Sequence, residues 1–199
     1  MSPSDDSRPA RPPRYDAADA RAYVDFMLAL VGDRDPLAML AAAPDRLEEA
    51  VAGLAEDAAR LPEPAGRRSQ PAGRRDGPAE GWSVLQVLRH LADSEIVYGY
   101  RVRLILAEEG PAIPGYDQDA WTDALHTHRG TVREALGDFR AGRAVTLRLL
   151  EALGDDEWDR VGHHSERGEE SVRRIATLLA AHDVNHERQI RRVREATGA

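Results

Sequence analysis

His182 and His186 lie one helical turn apart, in a run where Val172, Ile175, Leu179, Gln189 and Val193 complete steps of three and four residues. Side chains so spaced share one helical face, with Cβ atoms about 5–6 Å apart. Both imidazoles are therefore expected to point into a core. Two buried imidazoles bring four ring nitrogens that need partners, and one metal ion satisfies two of them at once. In a chain with seven His such a pair also arises by chance, and its place in an apolar stripe is what favours ligation. A third ligand would come from another helix. His90 is the candidate, since it follows Val87 by three residues, precedes Leu91, and has the small Ser83 and Ser94 along its row. Taken alone, His90 reads better as a core histidine bonded to a backbone carbonyl. His126 and His128, two apart on an expected helix, do not face each other, and His163 and His164 are adjacent in an acidic connector. All four read as solvated.

Composition narrows the chemistry further. The 199 residues contain no Cys, which removes disulfides, thiolate metal sites and a cysteine nucleophile together. All 27 basic residues are Arg, so Schiff-base lysines and the phosphate-loop lysine are absent. The net charge of −8 argues against a general nucleic-acid binder. No apolar run approaches the ~18 residues of a membrane span. The opening MSPSDDSRPARPPR has no apolar stretch of the signal-peptide kind. A cytoplasmic bacterial protein acting on a small molecule is the expectation.

The elements that must position the histidines are helical. Residues 1–14 are Ser/Pro/Arg-rich and read as a disordered tail, and 15–33 read as an extra N-terminal helix closed by Gly32. Asp35-Pro36 opens a short helix, and Pro44 is expected to restart the chain as a longer one reaching about Ala59. Within a Pro/Gly-rich loop, Ala65-Gly66-Arg67-Arg68 recurs as Ala72-Gly73-Arg74-Arg75, and 65–75 reads as a solvated insertion. Ser83 and Gln86 form a capping box and Trp82 and Val87 a hydrophobic staple, starting a helix with Leu88, Leu91, Tyr98, Val102 and Ile105 inward. A third long helix is expected from about Asp119 to Leu153, weakened by Gly130, Gly137 and Gly142. After a connector over 154–170 comes the last helix, Ser171 to Glu195. No segment alternates apolar and polar as a strand would. The expectation is an all-α four-helix bundle over residues 34–196, with short extra N-terminal helices.

Gly81-Trp82-Ser83 leading into His90-Leu91-Ala92-Asp93-Ser94-Glu95, the segment Tyr116-Asp117-Gln118-Asp119-Ala120-Trp121, and His182-Asp183-x-x-His186 with Gln189-Ile190 together resemble the DinB/YfiT-like superfamily. The resemblance runs over about residues 35–195. It implies a four-helix bundle with a long crossover between its second and third helices, and a metal held by His90, His182 and His186. The N-terminal helix and the 65–75 insertion depart from the family pattern.

Three neutral imidazoles leave a divalent ion its full charge and an open position, the catalytic form of such a site. Zinc is the expected metal, with nickel, iron, copper or manganese as alternatives. The resemblance implies two reactions: attack on an electrophile by a low-molecular-weight thiol co-substrate (mycothiol, bacillithiol or glutathione), and metal-dependent hydrolysis. Hydrolysis needs a general base, for which Glu95 and Gln189 are the candidates. Asp183 points about 100° from His182 on the helical wheel and is a weaker one. A non-catalytic bundle binding metal or ligand is the third reading, and a homodimer is compatible with the extra helix.

Overall fold

A computed structural model describes residues 17–64 and 81–198. The expected tail at 1–14 and the arginine-containing insertion at 65–75 lie outside the described residues. Helices α1 (Ala17–Val31) and α2 (Pro36–Ala50) are followed by a 3-10 turn at Ala58–Arg60 and by α3 (Val84–Ala107). Strand β1 (Ala112–Ile113), α4 (Gln118–Ala124), α5 (Val132–Glu151) and α6 (Asp155–Trp158) come next. A hairpin of β2 (Val161–His164) and β3 (Gly168–Ser171) then leads straight into α7 (Val172–Thr197).

The bundle consists of α2, α3, α5 and α7. α3 packs on α5 and α7, α2 packs on those same two helices, and α1 lies outside against α7. Its apolar core divides into two clusters. One gathers Met27, Leu40, Tyr98, Val102, Ile105, Leu150, Ile175 and Leu179. The other gathers Leu47, Trp82, Leu85, Leu88, Leu91, Phe139, Ile190 and Val193. Where the two clusters meet, α3, α5 and α7 bring together buried polar groups, His90 and Glu95 from the first, Arg143 from the second, and His182, Asp183 and His186 from the third.

The start of α3 follows its sequence signals, since Ser83 Oγ accepts from the Gln86 amide and Gln86 Oε1 accepts from the Ser83 amide. Five expectations need correction. Pro44 does not restart the chain, because α2 runs through it from Pro36 to Ala50. A proline within a helix leaves the carbonyl four residues back without its amide partner, and here Arg143 Nη1 donates to that carbonyl, Leu40 O, at 2.9 Å. The third helix is broken: α4 stops at Ala124, His126 takes a left-handed φ of 54° and Gly130 one of 84°. Thr131 and Glu134 then form a second capping box that opens α5.

Strands are present. β1 pairs parallel with β2, and β2 pairs antiparallel with β3. They are two and four residues long, too short to show alternation. The solvated reading also fails for His164, which is 4% exposed because β2 turns His163 outward and His164 inward. Finally, His126 and His128 do meet, edge to face at 5.9 Å, since the helix has ended before them.

Two glycines of α5 separate propensity from packing. A Cβ at Gly137 would meet nothing within 4 Å, whereas one at Gly142 would stand 2.8 Å from Glu95 Cβ on α3. Gly137→Ala is expected to stabilise by about 0.5–1 kcal/mol. Gly142→Ala is expected to destabilise by about 1–3 kcal/mol through overpacking. Urea midpoints moving in opposite directions check the pair; a stabilised Gly142→Ala would contradict the close approach.

Candidate metal centre

The capped start of α3 aims His90 inward about two turns beyond Trp82, and the stripe on α7 aims His182 and His186 at it. All three are buried, and their ligand nitrogens lie within 4.8 Å of one another. His182 Nε2 is 3.0 Å from His90 Nε2 and 3.1 Å from His186 Nε2. Three nitrogens each ~2.05 Å from one tetrahedral ion stand about 3.3 Å apart, so the spacing fits a shared cation. The ring planes are steeply inclined, at 60° to 70°.

Proton placement supports the same reading. His186 Nδ1 faces Gln189 Oε1 at 2.8 Å and donates to it, which leaves Nε2 as a lone pair toward the other two rings. His182 Nε2 cannot donate to both neighbours, and hydrogen bonds alone leave part of the cluster unsatisfied. On the far side of the same ring, His182 Nδ1 is buried without a hydrogen-bond partner. A cation satisfies all three converging lone pairs at once. Burial, then the two neighbouring imidazoles and Arg143, hold His182 well below its ordinary pKa. Burial also pushes His186 down to about 4, with the Gln189 hydrogen bond opposing and Arg192 adding to the shift. Both rings are therefore neutral donors at pH 7. Trp82 closes one side, 4.8 Å from the His90 ring and stacked at 6.4 Å on His186. Tyr98 lies 6.1 Å from His182 on another.

Of the two expected base candidates, Gln189 sits directly on His186. Glu95 is committed elsewhere, because its Oε1 accepts from Arg143 Nε at 3.0 Å and from Nη2 at 2.6 Å. The same guanidinium donates to Asp183 Oδ2 at 2.7 Å and Oδ1 at 3.0 Å. Asp183 points away from the imidazoles as its wheel position requires, and burial outweighs Arg143 to push its pKa up to about 6. This ion network joins α2, α3, α5 and α7 directly beneath the site. Sequence reasoning missed Arg143. The available signal was its place in the row Phe139, Arg143, Thr146, Leu150, all buried.

A cavity of about 80 Å³ ends on His182 and His186 and is walled by Tyr23, Arg101 and Arg167, which the sequence had not marked, by Tyr116 of the family motif, and by His164, which had been assigned to solvent. α1 thus reaches the site through Tyr23. No helix among the described residues is long and apolar enough to cross a membrane.

The arrangement defines a class: a four-helix bundle whose buried polar groups include one histidine from its second helix and two from its last, three nitrogen donors close enough together to hold one cation. The chain belongs to the DinB superfamily, whose sequence profile matches residues 39–190. It is 31% identical over 106 residues to a protein of Oceanobacillus iheyensis named as a candidate metal-dependent hydrolase, covering 53% of this chain and 61% of that one. It is 34% identical over 89 residues to the similarly named YfiT of Bacillus subtilis, covering 45% and 50%. These matches thus span less than two thirds of either relative. The solved structure of YfiT, described as having an unusual four-helix bundle topology, superposes with a TM-score of 0.69 at 26% identity. It covers 82% of this chain and 86% of YfiT.

Proposed function

We propose that this chain is a metal-dependent enzyme that joins a low-molecular-weight thiol to a small electrophile. His90, His182 and His186 hold a divalent ion, with zinc favoured by the neutral nitrogen donors. The carrying observation is the convergence of three Nε2 atoms at 3.0 and 3.1 Å at the end of a polar cavity. A divalent ion there would lower the pKa of a coordinated thiol or water.

The chain's own groups do the rest. Gln189 fixes the His186 tautomer, and burial keeps the rings unprotonated. Glu95 acts through Arg143 as a positioning residue, holding α3 and α5 in register. With Glu95 Oε1 bound to Arg143, ionisation of the nucleophile falls to the metal, and a thiol, which starts from a pKa of about 8.5 against about 15.7 for water, is the easier group to ionise there. The absence of Cys requires that sulfur to arrive with a co-substrate.

A hydrolase is the second reading, favoured by the names of the relatives. Zinc-loaded protein incubated with 1-chloro-2,4-dinitrobenzene and a thiol panel (glutathione, mycothiol, bacillithiol), and separately with p-nitrophenyl acetate, decides between them. Thiol consumed in step with conjugate, and lost in His182→Ala, supports the transferase. Ester cleavage without thiol supports the hydrolase. Full metal loading with neither reaction would leave a binding module.

A further inference from the structure

We propose that the cavity beside the imidazole cluster contains a built oxyanion subsite, formed by the Arg101 guanidinium and the His164 Nε2–H, which takes a carboxylate or phosphate group of the small-molecule substrate. Arg101 is 3% exposed, yet among the described residues no carboxylate lies within ion-pair distance of it. Its recorded contacts are Nη2 donating to Pro114 O at 3.0 Å and the faces of Tyr98 and Tyr116, whose ring centroids are 5.3 and 5.9 Å away. A buried guanidinium is normally paired, because the uncompensated charge is costly to desolvate.

The other buried arginine, Arg143, and the partly exposed Arg167 obey that rule. Arg143 holds Glu95 and Asp183, and Arg167 holds Glu170 through a two-pronged contact at 2.6 and 2.9 Å. Burial pushes Arg101 below its ordinary pKa, whereas the carboxylate partners of Arg143 and Arg167 outweigh burial and raise theirs.

A second, independent group points the same way. His164 Nδ1 accepts from the Glu166 amide at 3.1 Å, so its proton resides on Nε2. That Nε2–H is buried and has no acceptor. Arg101 and His164 line the same cavity as His182 and His186. Tyr116, which also lines it, is tied to Ser94 Oγ at 3.2 Å. The one acidic group on the wall is Glu166, half-buried beside Gly115. Two donors, one of them cationic, have no carboxylate in direct contact, because the nearby Glu170 is bound to Arg167, and an oxyanion would complete them. A cavity of about 80 Å³ has room for about five to eight water-sized groups, which suits a small acid and not a macromolecule.

The assignment deepens the reading of the imidazole cluster as the reactive end of the cavity, so its test is made on metal-free protein. Chelated protein is titrated at constant ionic strength with inorganic phosphate and, separately, with acetate, while NMR follows the Arg101 Nε–H, the His164 ring and Tyr116. Saturable shifts at these three residues are expected, with dissociation constants of about millimolar order. Saturation by phosphate alone, acetate alone or both supports the subsite and identifies its preferred oxyanion.

Arg101→Gln is expected to weaken binding at least about tenfold, while Arg140→Gln, an exposed residue paired with Asp45 and Glu48, leaves it unchanged. Equal binding by folded Arg101→Gln, or wild-type shifts that fail to saturate or fall away from these residues, would overturn the proposal. The wild-type shift map decides the matter even if Arg101→Gln does not fold. A failed metal site would appear separately, as unchanged metal content in histidine variants, and would not alter anion binding by the chelated protein.

Discussion

Arg143→Met is expected to lower the unfolding free energy by about 3–5 kcal/mol, the loss typical when one partner of a buried ion network is removed. At this chain length each kcal/mol shifts Tm by about 2–4 °C, so a fall of about 6–20 °C should be seen. The guanidinium is 1% exposed and makes five hydrogen bonds to Glu95, Asp183 and Leu40 O. Removing it strands two buried carboxylates, one of which already has a raised pKa, together with the carbonyl that Pro44 leaves unpaired. The triple variant Arg143→Met, Glu95→Leu, Asp183→Leu should recover most of the loss, because stranded charge and not lost attraction causes it. The residual deficit from Leu40 O should be about 1–3 kcal/mol. Urea denaturation of the two variants checks the scheme, and a loss below about 1 kcal/mol in the single variant would place the network in solvent.

The second large effect has opposite signs with and without metal. His182→Leu should weaken divalent metal binding by about 10²–10⁴-fold, roughly a third of the ~10–16 kcal/mol that complete sites supply. In the metal-free protein the same change should be neutral or stabilising. It removes a buried Nδ1 that has no partner and one of three converging lone pairs, and it substitutes an apolar side chain between two apolar clusters. Wild-type Tm should therefore rise on adding zinc, reflecting up to about 4 kcal/mol of linkage at a thousandfold excess over its Kd, while the same zinc concentration should give the variant about 1.4 kcal/mol at most. A metal-free His182→Leu that loses more than about 2 kcal/mol would instead make the imidazole a structural hydrogen-bond partner.

What could be read in the sequence was local and periodic. The stripe on α7 and the capping box of α3 rest on spacings of three and four residues within single helices, whereas the meeting of His90 with the His182/His186 pair was implied by the resemblance to the DinB/YfiT-like superfamily. Arg143 was invisible for the converse reason. It stands in a segment interrupted by Gly137 and Gly142, and its partners lie 48 and 40 residues away on two other helices. Pro44 was misread because its local effect is to end a helix, and the group that rescues Leu40 O comes from α5. β2 and β3 hold four residues each, too few for a period of two to emerge, and His164 was assigned to solvent with them. His126 left the helical pattern through a backbone conformation unusual for a residue with a side chain.

Metal content tests the centre most directly. Elemental analysis of wild-type protein, loaded with zinc and freed of excess, is to be compared with His182→Ala/His186→Ala treated identically. The expected result is about one equivalent of metal per wild-type chain, with nitrogen neighbours at ~2.0–2.1 Å by X-ray absorption, and less than about a tenth of that in the variant. Equal metal in the two proteins would contradict a site built on His90, His182 and His186.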